Sequence, residues 1–315
     1  MKTRKFTLAL AALLLTSAAF VSSCRKHKTT DDKDTDPSAA KDNNLAENTS
    51  NDVLSMAGQV SENASGSSSS LSTYRMGQPD QVSAISCADT VKVDTVTKVI
   101  RVHFSSGTTC LDGRTRSGVL LFDYSASPTG VRWYRNPGYS VHVTSQNYVV
   151  DGNAVTIDKT ILNQGFVAGN LTWKITSNVT INLAGGAGTI TWNSTRTKTL
   201  LNTSSAYTVG GTSCAACYTN QSTPIDWSKA VIKIDGGTSG VSAKGTAYSA
   251  NANGLIRNMN CSPAGHPFRH PFVEGTIDFT PGGKATRHVD FGNGSCDLQY
   301  TVTINGTVYG PYDLP

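Results

Sequence analysis

"LTWKITSNVTINLAGGAGTITWNSTRTKTLL", residues 171–201, reads as strand, glycine turn and strand. Apolar and aromatic residues alternate with Thr, Asn, Ser and Lys on both sides of "AGGAG". That is the period of an extended chain with one buried and one wet face. The reading extends outward in both directions. "TVKVDTVTKVIRVHF", "SGVLLFDYS", "YSVHVTSQNYVV" and "NAVTIDKTIL" precede the stretch, and "KAVIKID", "GVSAKGTAYSA", "FVEGTIDF", "ATRHVDF" and "QYTVTINGTVY" follow it. Gly, Asn, Asp and Pro punctuate the runs in "SPTG", "VDGN", "DGG", "TPGG" and "GNG". About a dozen strands, with no helical period of real length from Ala88 on, predict an antiparallel all-β domain over 81–315. A β-sandwich and a single strongly curved meander both satisfy the pattern, and the sequence leaves them open.

The N-terminus has another character. Residues 1–23 read as a targeting segment: "MKTRK" is a basic head and "FTLALAALLLTSAAFV" an apolar run. That run is about 16 residues, short of the ~20 that span a bilayer. "VSSC" (21–24) resembles the lipobox of bacterial lipoproteins, which implies lipidation of Cys24 and a mature N-terminus held at a membrane by acyl chains. Residues 24–80 are rich in Ser, Asp, Asn and Lys and poor in large apolar residues. This composition predicts a flexible tether, with at most a short, marginal helix around Leu54–Val60.

Charge excludes little but excludes nucleic acid. The chain carries a formal net charge of +5, and loss of Lys2, Arg4 and Lys5 with the signal leaves +2. From Asp80 onward 18 Lys plus Arg face 14 Asp plus Glu, an ordinary balance for an exported domain.

Seven cysteines occur, and with Cys24 assigned to lipid six remain, an even number that fits an oxidising compartment. "CADTVKVDTVTKVIRVHFSSGTTCLDG" (87–113) and "CSPAGHPFRHPFVEGTIDFTPGGKATRHVDFGNGSCD" (261–297) share one layout: cysteine, strand, turn, strand, glycine corner, cysteine. The start of the first strand and the end of the second lie together in a hairpin. Cys87 is therefore expected to reach Cys110, and Cys261 to reach Cys296, with Gly292 and Gly294 giving the corner its positive φ. Cys214 and Cys217 of "CAAC" are left to each other.

"TTCLDGRTRSGVLLFDYS" and "VDFGNGSCDLQYTVTINGTVY" carry a family resemblance. They are similar to the CxDGRxRxG and FGxGxCDxxxxVTxNG segments that open and close the domain in a group of uncharacterised Bacteroidetes lipoproteins and secreted proteins. The resemblance implies an outer-membrane lipoprotein, on the periplasmic or the cell-surface side, and implies no activity. "DTV" at 89–91 and 94–96 resembles the Asp-Thr-aliphatic O-glycosylation signal of that phylum.

Candidate chemistry is sparse. The "CAAC" spacing suits a redox dithiol or half a zinc site, but its flanks are loop-like. His266 and His270 each precede a proline that favours extended backbone, which argues against a shared metal. Glu274 and Asp278 would share a strand face, with Asp290 on the neighbouring strand, as candidate glycosidase carboxylates. No nucleophile elbow, phosphate-cradling loop or dense Asp loop is present. No catalytic residue, metal or cofactor is assigned on this basis. Trp133, Tyr134 and Tyr139, beside Arg132 and Arg135, together with Arg114 and Arg116 of "DGRTRSG", are the candidate contacts for a glycan or another envelope protein. The expectation is a non-catalytic, membrane-tethered envelope protein, with a glycan-binding lipoprotein as the alternative and a hydrolase behind both.

Overall fold

The computed structural model describes residues 36–63, 85–131, 133–201, 208–209, 212–213, 225, 230–266 and 269–314. All belong to the compact unit Thr35–Pro315; the unit Met1–Asp34, which carries Cys24, lies outside them. The strands are β1 (Ala88–Asp94), β2 (Val99–Thr109), β3 (Thr115–Asp123), β4 (Ser140–Val150), β5 (Asn153–Val167), β6 (Asn170–Asn182) and β7 (Thr189–Leu200). A small hairpin of β8 (Thr208–Val209) and β9 (Thr212–Ser213) precedes β10 (Val231–Val241), β11 (Ala247–Asn258), β12 (Phe272–Pro281), β13 (Arg287–Asn293), β14 (Gln299–Ile304) and β15 (Thr307–Asp313).

Apart from that hairpin, every strand pairs antiparallel with its neighbours in sequence, giving one 13-stranded meander. Of the two predicted architectures, the single strongly curved sheet is the one formed. Local chemistry sets the register. Two-residue loops Asp151–Gly152 and Asn305–Gly306 have positive φ at both positions, so they turn the chain in the sense that matches strand twist. Along β6, Leu171, Trp173, Ile175, Val179 and Ile181 are buried, while Lys174, Thr176, Asn178 and Asn182 are exposed.

What the sheet curls around corrects the sequence reading. Residues 24–80 were expected to be a tether, yet Ser38–Asn63 form a 26-residue helix, α1. It is about 39 Å long at 1.5 Å per residue. Ala40, Asn43, Val53, Met56, Ala57 and Val60 are fully buried. The short helix expected at Leu54–Val60 is only its last part. Most of α1 is buried, so its apolar residues are not confined to one narrow stripe; its less buried side carries the exposed Lys41 and the half-buried Asp42, Leu45, Asn48, Asp52 and Ser55. The side chain of Asp36 accepts the Ser38 N–H at 2.9 Å and caps the first turn.

The partners of α1 come from strands all around the sheet. Asp52 meets Arg114 and Arg116 at the start of β3, Ser50 meets Lys159 on β5, and Asn43 meets Trp192 on β7. Ser55 meets Arg257 on β11, and Lys41 lies over the Tyr312 ring of β15. Arg269 closes the circuit, donating to the Asp112 carbonyl at 3.0 Å and to the Leu314 carbonyl at 3.5 Å. It thereby ties the β2–β3 corner to the end of the last strand.

Cys87 is bonded to Cys110 (Cα–Cα 4.6 Å) and Cys261 to Cys296 (5.3 Å), the two pairs that the hairpin layout gives. In the second corner Gly292 and Gly294 have φ of 91° and 103°, and the Gly294 N–H donates to the Val273 carbonyl. Cys214 and Cys217 fall outside the described residues.

Candidate functional site

The inward faces of the strands are not purely apolar, and their polar residues form the most extensive ion-pair network among the described residues. Asp42, Glu47, Asp52 and Glu62 of α1 are five, five and ten residues apart. A five-residue step rotates the helix by about 140°, so these carboxylates radiate in different directions instead of lining one face. The Asp42 side chain accepts the Ala243 N–H in the β10–β11 turn. Glu47 engages Arg196 of β7 through both oxygens. Asp52 accepts from Arg114 at 2.5 Å, and Arg116 is held bidentate by Asp112. Glu62 pairs with Arg135 in the β3–β4 connection.

Burial distorts the titration of several of these groups. Burial alone would raise Asp52, but the charges of Arg114 and Arg116 outweigh it and hold the carboxyl below its usual range. Glu62 is pushed up to about 7, because burial outweighs its pairing with Arg135. Lys159 and Lys198 are each pushed down to about 7 by burial. Lys198 Nζ lies beside the Tyr134 and Trp173 rings, at 5.1 and 4.9 Å from their centroids.

The candidate contact residues are drawn into this interior. Tyr134 and Tyr139 are buried, and Tyr134 stacks on Trp173 at 5.1 Å and packs against Gly58 of α1. Only Trp133 of that trio is partly exposed, with the Arg135 guanidinium 4.5 Å above its ring. The expected aromatic patch is therefore corrected to a helix-packing cluster. Arg114 and Arg116, the other candidate contacts, are likewise corrected: they are buried in a network with Asp52 of α1 and Asp112 of the β2–β3 corner. Arg132 lies outside the described residues.

The candidate carboxylates stay on the outside. Asp278 pairs with His288 at 2.8 Å, Asp290 accepts the Gly292 N–H, and Glu274 stands opposite Asn293. His266 is exposed, whereas His270 turns inward to the Cys261 carbonyl. Thr95 of the second "DTV" is exposed in a turn where Asp94 accepts the Val96 and Thr97 N–H groups; Thr90 of the first is half-buried in β1.

On the outer face β6, β7 and β10 form a shallow groove of about 480 Å³. Thr176, Asn178, Asn193, Thr195, Gly237 and Ser239 are its exposed lining. It offers hydroxyls and carboxamides, with no ionisable or aromatic group. Such a surface can hydrogen-bond a neutral polar molecule and can transfer no proton.

Sequence reading missed Glu47, Asp52 and Glu62. Their signal was present as acidic residues without the i, i+4 spacing of a solvated helix face, but it carries meaning only beside the inward cations. Comparison with protein-family models, curated proteins and solved structures finds no match for the chain.

Proposed function

We propose that this chain is a lipid-tethered envelope protein without catalytic activity, a structural or partner-contacting domain anchored through Cys24 at the outer membrane. The observation that carries the reading is how the reactive residue types are used. The buried charges and rings seat α1 inside the sheet, and the outward carboxylates Asp278 and Asp290 are engaged by His288 and by the Gly292 N–H. The outward side chains of β5, β6 and β7 are mainly Thr, Asn, Asp and Lys. A membrane-spanning barrel carries an apolar band outward instead, which supports attachment by lipid. Among the described residues no helix is long and apolar enough to cross a membrane.

The test is Cys24→Ser combined with metabolic palmitate labelling. The variant should leave the membrane fraction and the wild type should take up label. Retention of the variant in membranes with no labelling of the wild type would overturn the anchor, and turnover of any envelope polymer by the purified domain would overturn its non-catalytic character.

The glycan alternative has its own observation in the uncharged outer groove. A glycan array probed with the soluble domain, with Asn178→Ala and Asn193→Ala as controls, separates it from a purely structural role.

A further inference from the structure

Lys159, Ser177, Ser194 and Thr238 are consecutive cross-strand partners on β5, β6, β7 and β10. All four point inward, with relative exposures of 1%, 2%, 8% and 7%. The hydroxyls of Ser177, Ser194 and Thr238 are buried with no hydrogen-bond partner among the described residues. Buried hydroxyls are almost always partnered, so three orphans side by side call for a bound group.

Three contacts hold α1 above this row. Trp192 Nε1 donates to Asn43 Oδ1 at 3.2 Å, Arg196 engages Glu47, and Lys159 Nζ donates to the carbonyl and the hydroxyl of Ser50, each at 2.6 Å. Asn43, Glu47 and Ser50 share one helix face with Ala46, at spacing i, i+3, i+4 and i+7. Ser194 lies on β7 between Trp192 and Arg196, so the small Ala46 and the small hydroxyl side chains are opposed between long pillars.

We propose that this niche binds a small anion of halide size, held by Lys159 Nζ and the hydroxyls of Ser177 and Ser194, with Thr238 at its far side. Two needs meet there. The hydroxyls need an acceptor, and a buried ammonium needs a counter-charge. Lys159 gives two of its three N–H donors to neutral oxygens of Ser50, and both oxygens of Glu47, the acid whose charge acts on it most, are engaged by Arg196. Water would satisfy the hydroxyls without favouring the ammonium form that burial disfavours. An anion does both.

Crystals grown in sodium bromide should show an anomalous peak within about 3.5 Å of Lys159 Nζ. Replacing gluconate by chloride at constant ionic strength should raise the melting midpoint by about 2–4 °C. Lys159→Met should abolish that rise, and Lys174→Met, on the outer face of β6, should keep it. Ser177→Ala and Ser194→Ala serve where Lys159→Met does not fold. With the anion bound they lower the midpoint in chloride, whereas removing an orphaned hydroxyl raises it. Water or empty density in the niche, equal melting in the two salts, or stabilisation by the alanine variants overturns the proposal.

Discussion

Glu47 of α1 and Arg196 of β7 form a buried ion pair across 149 residues of sequence, with Arg196 Nε 3.3 Å from Glu47 Oε1. The pair joins the segment expected to be a tether to the centre of the sheet. Removing one partner leaves the other charged and buried. Glu47→Gln should therefore destabilise the domain by about 3–5 kcal/mol, whereas Glu47→Met with Arg196→Met should recover most of that loss. Urea unfolding of the three proteins measures it; equal stability of Glu47→Gln and wild type would mean that α1 is not seated as described.

Deletion of 36–63 should abolish folding, since it takes Val53, Met56, Ala57 and Val60 out of the core and leaves Arg114, Arg116, Arg196 and Lys159 facing an empty interior. Deletion of 25–35 should leave the near-ultraviolet circular dichroism unchanged. A folded Δ36–63 protein would restore the tether reading.

The Cys261–Cys296 staple closes a loop of 35 residues. Cys261→Ser and Cys296→Ser should each destabilise by about 2–4 kcal/mol, and the double variant should add little. Unequal single effects, or free thiols at both positions in exported protein, would contradict the pairing. Thermal melts with thiol titration give both readouts.

Lys198 gives stability a pH dependence of defined sign. Burial sets its folded pKa at about 7, against an ordinary value of 10.5. Between those values the unfolded chain binds a proton that the folded chain does not, so this residue makes stability rise with pH from about 7 upward. Glu62, raised to about 7 from 4.5, acts oppositely: its contribution falls between about pH 4.5 and 7. Lys159, displaced to about the same value, acts in the same direction. Melts in gluconate buffer from pH 7 to 9 should therefore rise, and Lys198→Met should lower the slope of the rise without abolishing it. An unchanged slope in that variant would remove Lys198 as one of its sources.

The order of the strands was legible because alternation is a local property. Thr, Asn and Lys between Trp173, Ile175, Val179 and Ile181 mark a half-buried strand whatever lies above it, and "VDGN" and "ING" fix hairpins within two residues. The two staples followed from the same local geometry. The sequence could not decide between sandwich and single curved sheet, because both demand the same alternation. Which inward residues meet across the interior depends on how far the sheet curls, and that is set by what fills it. The filler is α1, whose carboxylates look like a solvated linker until Arg114, Arg116, Arg135 and Arg196 are seen to face it. Those arginines look like surface residues until α1 is seen to enclose them. Each half of the interior reads as exposed when taken alone, because a charged side chain can be buried only where its counter-charge is already present. Only the tertiary structure brings the two together.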